Sequence, residues 1–278
     1  MIVQITITRN ELFLLKEMLP IWKKYSDGFV FYVDNSTDGT YEFLEENKEK
    51  YNILSILKIT RKDELLIETD MRQLLFDEGF KFSKKIICLD TDEYLDGNMS
   101  KEELNYILDN NQDTIFHLNW IQYVDKNKIR IDGPWLNNHK DRIGSYESRA
   151  IFASIQSHST HLPFTANHLF FQQDDLFISH LQWLDKKTVA IKQYFWKITD
   201  YVNNLKYNVD IVESSAYDAS VNNFEWKITN FNFDLKVDEN IYSKLEEKNN
   251  YKLQFIKEQT QKYNIPNLGD WGMNIYEK

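Results

Sequence analysis

The sequence predicts an α/β fold: a mainly parallel sheet with helices on both faces, followed by a helical extension at the C-terminal end. Three observations carry this. Apolar, β-branched runs alternate with helix-length segments through the first hundred residues. Polar sets fall at the C-terminal end of each run. The alternation then breaks down, and helical spacing returns at 186 to 206 and 241 to 264.

In order, IVQITIT (2 to 8) reads as the first strand, and ELFLLKEMLPIWKKY (11 to 25) as a helix with basic residues in its last turn. GFVFYVD (28 to 34) is the second strand and YEFLEENKEKY (41 to 51) the second helix. ILSILKI (53 to 59), a helix from 64 to 80 and KIICLD (85 to 90) complete four βα units. A short helix at 100 to 109, the β-like TIFHLNWIQYV (114 to 124) and a Gly133–Pro134 turn follow. The Asn-rich stretch 207 to 240 has no clear period. The reading divides the chain into a binding half at 1–100, a second half at 101–190 and a mainly helical extension at 191–278.

With 278 residues, 42% of them hydrophobic, the chain can bury one sizeable core. Its net charge of −10 argues against nonspecific nucleic-acid binding, which needs clustered Lys and Arg. The single cysteine, Cys88, lies in the apolar run IICL, without a disulfide partner and without the surroundings of a nucleophile. No signal peptide or bilayer-length apolar run is expected. The expectation is a soluble, cytoplasmic protein, monomer or homodimer, with peripheral membrane contact left open.

TRNE (8 to 11), DNSTDGT (34 to 40), TRKDE (60 to 64) and DTDE (90 to 93) all end strands and so face one crevice. In an extended segment Asp90 and Asp92 point the same way and Thr91 elsewhere, so an exposed Asp90–Asp92 pair could share one hard cation, Mg²⁺ or Mn²⁺. Otherwise the segment is a solvated turn, with Glu93 and Asp96 helping to cap the next helix. In DNSTDGT, Asp34 could accept hydrogen bonds from a base or ribose while Thr37 or Asp38 caps the helix from Thr40. His158 and His161 have a spacing compatible with zinc, but no cysteine lies near and HExxH is absent. Trp120, Trp183 and Tyr123 suit core packing or sugar stacking. Trp135, in GPWLNNH, reads as an exposed turn suited to an acceptor.

ITITRNE, FYVDNSTDGTYEFLEE and IICLDTDEYL together resemble the nucleotide-binding half of GT-A-fold (Rossmann-like) glycosyltransferases, family-2-like members above all. These carry a D-x-S-x-D-G-T turn after the second strand and a D-x-D-E at the fourth. The resemblance spans residues 2 to about 97. It implies metal-dependent transfer of a hexosyl or related sugar from a nucleotide-sugar donor to a hydroxyl of a glycan or glycoconjugate acceptor. Base and ribose would lie near Arg9, Glu11, Asp34 and Ser36, with Arg61 and Arg72 near the base or diphosphate. Asp92 would bind Mn²⁺ or Mg²⁺, and Asp90 the ribose or a metal-bound water. ISHLQWLDKK resembles the family's closing segment and implies His180 as a metal or phosphate ligand. SIQSHSTHLP implies His158 in the donor-sugar pocket.

An inverting transfer needs a carboxylate base. The family's acidic pair ahead of the closing segment corresponds to Asp174 and Asp175 in QQDDLF, where Glu-Asp is more usual, with Glu147 in SYESRAIF as the alternative. Two other readings stand beside the transferase. One is a non-catalytic nucleotide- or glycan-binding module of the same fold. The other, a metal-dependent phosphohydrolase, sets DNSTDGT against the D-x-D-G-T loop of haloacid dehalogenase-type enzymes; there the two aspartates are two apart, whereas Asp34 and Asp38 are four apart.

Overall fold

A computed structural model describes residues 1–60, 68–136, 138–152, 160–207, 214–221, 225–244 and 246–265. Two compact units emerge, one formed by Met1–Ile121 with Asn137–His180, the other by Gln122–Leu136 with Leu181–Lys278.

The first unit opens with β1 (Val3–Thr8), α1 (Leu12–Trp22), β2 (Gly28–Asp34), α2 (Thr40–Glu46), α3 (Lys48–Tyr51) and β3 (Ile53–Ile59). The helix expected at 41 to 51 is therefore two, broken at Asn47. Next come α4 (Glu68–Phe80), β4 (Lys85–Cys88), β5 (Glu93–Asp96), α5 (Lys101–Asn110) and β6 (Thr114–Asp125), whose last residues belong to the second unit with β7 (Lys128–Arg130). β8 (His139–Ser145), β9 (Asn167–Phe170) and β10 (Phe177–His180) complete the first unit.

β3, β2, β1 and β4 form the parallel core of a mixed sheet, extended by antiparallel β8 and β6. β9 pairs with β6, and β10 runs antiparallel to β5. Strand alternation settles the faces. On β2, Val30 and Tyr32 join the core cluster with Met71, Leu75 and Phe76 of α4. Phe29 and Phe31 instead lie 6.2 and 6.4 Å from the ring of Trp22 on α1. Successive side chains of a strand point to opposite faces, so α1 and α4 sandwich the sheet.

β4 ends at Cys88, earlier than the sequence suggests, and residues 90–93 form a turn closed by the Glu93 N–H on the Asp90 carbonyl at 3.0 Å. Asp96 caps no helix. Ser100 caps α5, in a reciprocal capping box with Glu103, because its extended backbone and its three-residue spacing to Glu103 suit the box. Gly97, at φ 138, is fixed by close approach: an added Cβ would lie 2.3 Å from the Asp175 carbonyl oxygen.

In the second unit, the Arg130 guanidinium binds Asp132 through Nε and Nη2 at 2.7 and 2.8 Å. Its central carbon lies 5.6, 4.7 and 5.2 Å from the ring centroids of Trp135, Trp183 and Trp226. α6 (Lys186–Tyr207), α7 (Ser214–Val221), β11 (Ile228–Asn230) and α8 (Glu246–Lys262) follow, so the described residues of the aperiodic stretch include a short helix and a strand paired with β7. Phe195 of α6 packs 4.9 Å from Phe255 of α8. Among the described residues no helix is long and apolar enough to cross a membrane.

Candidate functional site

The C-terminal ends of β1 and β2 carry two asparagines in the left-handed region, Asn10 at φ 52 and Asn35 at φ 43. Asn is tolerated there because its short polar side chain can bond locally. The Asn10 backbone N–H donates to Ser36 Oγ at 3.0 Å, and the Thr37 N–H returns a bond to Asn10 Oδ1 at 2.7 Å. Asp38 ties the loops further. One carboxylate oxygen accepts from Leu12 N–H, which opens α1, and the other from Thr40 N–H, which opens α2, both at 3.0 Å. The expected cap is thus Asp38, and it serves two helices. Beside this seam Arg9 Nη1 lies 3.6 Å from the buried Asp34 carboxylate, and Glu11 flanks the start of α1.

Beyond β4, the Asp90 side chain is 39% exposed and faces three partners. His161 Nε2 lies 3.1 Å away, Arg142 Nη2 3.6 Å and Arg72 Nη2 3.9 Å. Desolvation opposes its charge, but His161, Arg142 and Arg72 outweigh it and hold the Asp90 carboxyl well below the usual carboxylate range. His161 also lies 3.0 Å from Arg72 Nη2. Burial, then the Arg142 and Arg72 charges, depress its pKa, so the ring is neutral at pH 7. A guanidinium at that distance argues against zinc on His161. Arg72 is no surface arginine. It is 6% exposed, donates to Glu68 Oε1 from Nε at 2.9 Å and from Nη2 at 2.6 Å, and lies over Cys88. Burial pushes the Cys88 thiol up to about 12, which leaves it protonated at neutral pH and not nucleophilic.

Glu93 is a structural acid rather than a solvated turn residue. It is fully buried at the start of β5 and takes Arg142 Nε and Nη2 at 2.8 and 2.7 Å, Trp120 Nε1 at 2.8 Å and the Asp90 N–H at 3.1 Å. Thr91 turns away, as expected, to the Ile7 carbonyl at 3.3 Å.

Asp92, expected to be exposed, is 4% exposed and faces His180, Oδ2 to Nε2 at 3.6 Å. The antiparallel register of β10 on β5, His180 opposite Glu93, brings together residues far apart in sequence. The His180 ring stacks on Trp120 with centroids 4.5 Å apart. Because 90–93 is a turn, pleat alternation does not aim Asp90 and Asp92 together; Asp90 belongs to the arginine side and Asp92 to His180. Among the described residues no three His, Cys, Asp or Glu side chains gather as a complete metal site. A Mg²⁺-like ion, however, takes one or two protein ligands and completes its octahedron with waters and substrate phosphates. At bonds of about 2.1 Å its neighbouring ligands are about 3 Å apart, so Asp92 and His180 fit as a partial set.

Other candidates are not brought to this end of the sheet. Asp174 and Asp175 are exposed in the turn before β10. Their carbonyls accept from Asn98 and Met99 N–H at 3.0 and 2.9 Å, beyond the far end of β5. At about 3.3 Å per residue they stand roughly 17–20 Å along the chain from His180. Glu147 is exposed beyond Ser145, which pairs with Lys85 at the opposite, N-terminal end of β4. Trp135 is not an exposed platform but a half-buried member of the second unit, 4.9 Å from Trp183. Arg61 and His158 lie outside the described residues.

Sequence reasoning missed Arg142, Trp120 as a contact of His180, Asn10 as the seam between two loops, and His161 as a partner of Asp90. The available signal was HKDRIGS, a short strand that carries Lys140, Asp141 and Arg142 in succession.

No protein-family profile matches the chain, and no curated protein matches it. Among solved structures it is similar to a crystal structure of S. aureus TarS, at 13% identity and TM-score 0.45, with 94% of this chain covered and 54% of that one. The chain thus spans about half the length of that protein. It is also similar to S. aureus TarS 1-349 in complex with UDP, at 14% identity and TM-score 0.44, covering 95% of this chain and 78% of that chain. A third similarity is to HddC from Yersinia pseudotuberculosis, at 10% identity and TM-score 0.35, covering 65% and 94%.

Proposed function

We propose that the chain is a metal-dependent glycosyltransferase of the GT-A type, moving a hexosyl or related sugar from a nucleotide-sugar donor to a hydroxyl of a glycan or glycoconjugate. The observation that carries this reading is the pairing of Asp92 with His180 at the end of the sheet where β1, β2 and β4 also end. There two metal-competent side chains stand beside a row of cations. Ligands of open parallel sheets bind at that end.

In this reading Arg9 and Asp34, held by the stitched first and second loops, receive base and ribose, with Glu11 and Ser36 at their edge. Ser36 Oγ accepts from Asn10, which leaves its own O–H to donate. Asp92 and His180 would hold Mn²⁺ or Mg²⁺, which as a Lewis acid stabilises negative charge on the departing diphosphate. Arg72 and Arg142, fixed by Glu68 and Glu93, keep Asp90 ionised as an acceptor for a ribose hydroxyl or a bound water. Because these groups are oriented before substrate arrives, they need no reorganisation during the reaction.

The test is incubation with Mn²⁺ and a panel of nucleotide sugars, with release of nucleoside diphosphate as readout. Turnover that disappears in Asp92→Asn, with retained folding, supports the transferase. The position of Asp174, Asp175 and Glu147 away from the crevice favours a second reading, the non-catalytic nucleotide- or glycan-binding module. Tight nucleotide-sugar binding without turnover would select it. The phosphohydrolase reading loses ground because both Asp38 oxygens already cap helices.

A further inference from the structure

Of the cationic side chains near the strand ends, Arg9, Arg72 and Arg142 have carboxylate partners. Arg9 lies 3.6 Å from Asp34, Arg72 donates to Glu68, and Arg142 is bidentate on Glu93. Lys140 is half-buried on β8, two residues before Arg142. Among the described residues no carboxylate lies within ion-pair distance of it. Its ammonium lies against Trp120, whose ring centroid is 4.7 Å from Nζ. The same indole carries the His180 imidazole 4.5 Å from its centroid, and His180 faces Asp92. One aromatic ring therefore links the unpaired ammonium to the two residues suited to a divalent cation.

A partly desolvated ammonium whose nearest carboxylates lie beyond ion-pair distance is poorly compensated, and cation–π contact offsets only about 0.5–2 kcal/mol of that. Burial, then the neighbouring Arg142 charge, depresses the Lys140 pKa, against the opposing pull of Glu93, Asp141 and Asp90. Such a group is completed by an anion from outside. A compact ammonium with three rotatable donors suits a phosphate oxygen as a point charge.

We propose that Lys140 is a diphosphate-binding residue, supplying a direct positive contact to the phosphates of a nucleoside diphosphate on the Trp120 side of Asp92 and His180. This rests on the nucleotide-sugar reading above and adds to it a ligand contact outside the two stitched loops and the DTDE turn. The contact would be made in the ground state and would strengthen as charge develops on the leaving diphosphate.

The experiment is titration calorimetry of the full chain with UDP, GDP, CDP and ADP in Mn²⁺, and with the matching nucleosides, on wild type, Lys140→Met, Lys140→Gln and Lys140→Arg. A lost charge-assisted contact corresponds to roughly ten- to a hundred-fold. The expected result is that Lys140→Met weakens the preferred diphosphate by that factor, leaves the nucleoside within two-fold, and is largely rescued by Lys140→Arg. Lys140→Gln serves if the Met variant does not fold. Unchanged diphosphate affinity, or equal weakening of diphosphate and nucleoside, overturns the proposal. Wild type that binds none of the four overturns the nucleotide-sugar reading, and the role of Lys140 with it.

Discussion

Replacing Arg142 by Met takes away both guanidinium bonds to Glu93, at 2.8 and 2.7 Å, and leaves a fully buried carboxylate without its counter-charge. Two neutral donors stay on it, the Trp120 indole at 2.8 Å and the Asp90 N–H at 3.1 Å, which cannot replace a bidentate cation. Breaking a buried ion pair on one side costs about 3–5 kcal/mol. For a urea m-value of roughly 2 kcal/mol/M this is a fall in midpoint of about 2 M. Equilibrium unfolding in urea, followed by tryptophan fluorescence, measures it. The second arm is Glu93→Gln on the Arg142→Met background, which removes the charge yet keeps an acceptor for Trp120. That double variant is expected to regain at least half of the loss. A single variant that loses less than about 1 kcal/mol, or a double variant no more stable than the single, would refute the assignment of Glu93 and Arg142 as a buried structural pair.

Asp38→Ala should cost about 1–4 kcal/mol, since one side chain caps two helix starts and each cap contributes about 0.5–2 kcal/mol; thermal melting reads it, and a change below about 0.5 kcal/mol would count against the double cap. Gly97→Ala combines a left-handed φ of 138 with a 2.3 Å approach to backbone, so a melting-temperature loss is expected, and wild-type stability would show that the chain there yields easily. Asp132 is partly desolvated, but its bond to Arg130 prevails and lowers its pKa in the folded state. Its stabilisation is therefore present above the unfolded aspartate value near 3.9 and lost as pH falls through the depressed folded value. Asp132→Asn should flatten that acid limb in pH-dependent urea unfolding; an unaltered limb would remove Asp132 from it.

The parallel core was readable because each strand is compact, apolar and followed by turn chemistry, and the same local pattern placed Arg9, Asp34 and Asp38 at strand ends. Arg142, Lys140 and Trp120 were not readable as neighbours of DTDE. They arrive through antiparallel pairing of β8 with β4 and β6, and the register of such pairs is fixed by tertiary packing rather than by local sequence. Asp174 and Asp175 show the converse. Five or six residues from His180 in sequence is close on a helix, but in a strand that distance carries them to the other end. His180 itself was found from its segment, yet its nearness to Asp92 depends on β10 pairing with β5, a strand the acidic composition of EYLD disguised as a turn.

The seam between the loops after β1 and β2 bears on how this crevice can be remodelled. Asn10 trades bonds with Ser36 and Thr37, and Asp38 reaches back to Leu12, so neither loop keeps its shape without the other. Transplanting a longer first loop to admit a different base would leave Ser36 and Asp38 without their partners and reshape the second. The unit of exchange is the pair of loops with the first turns of both helices, a cassette from Arg9 to Thr40 that includes the strand between them.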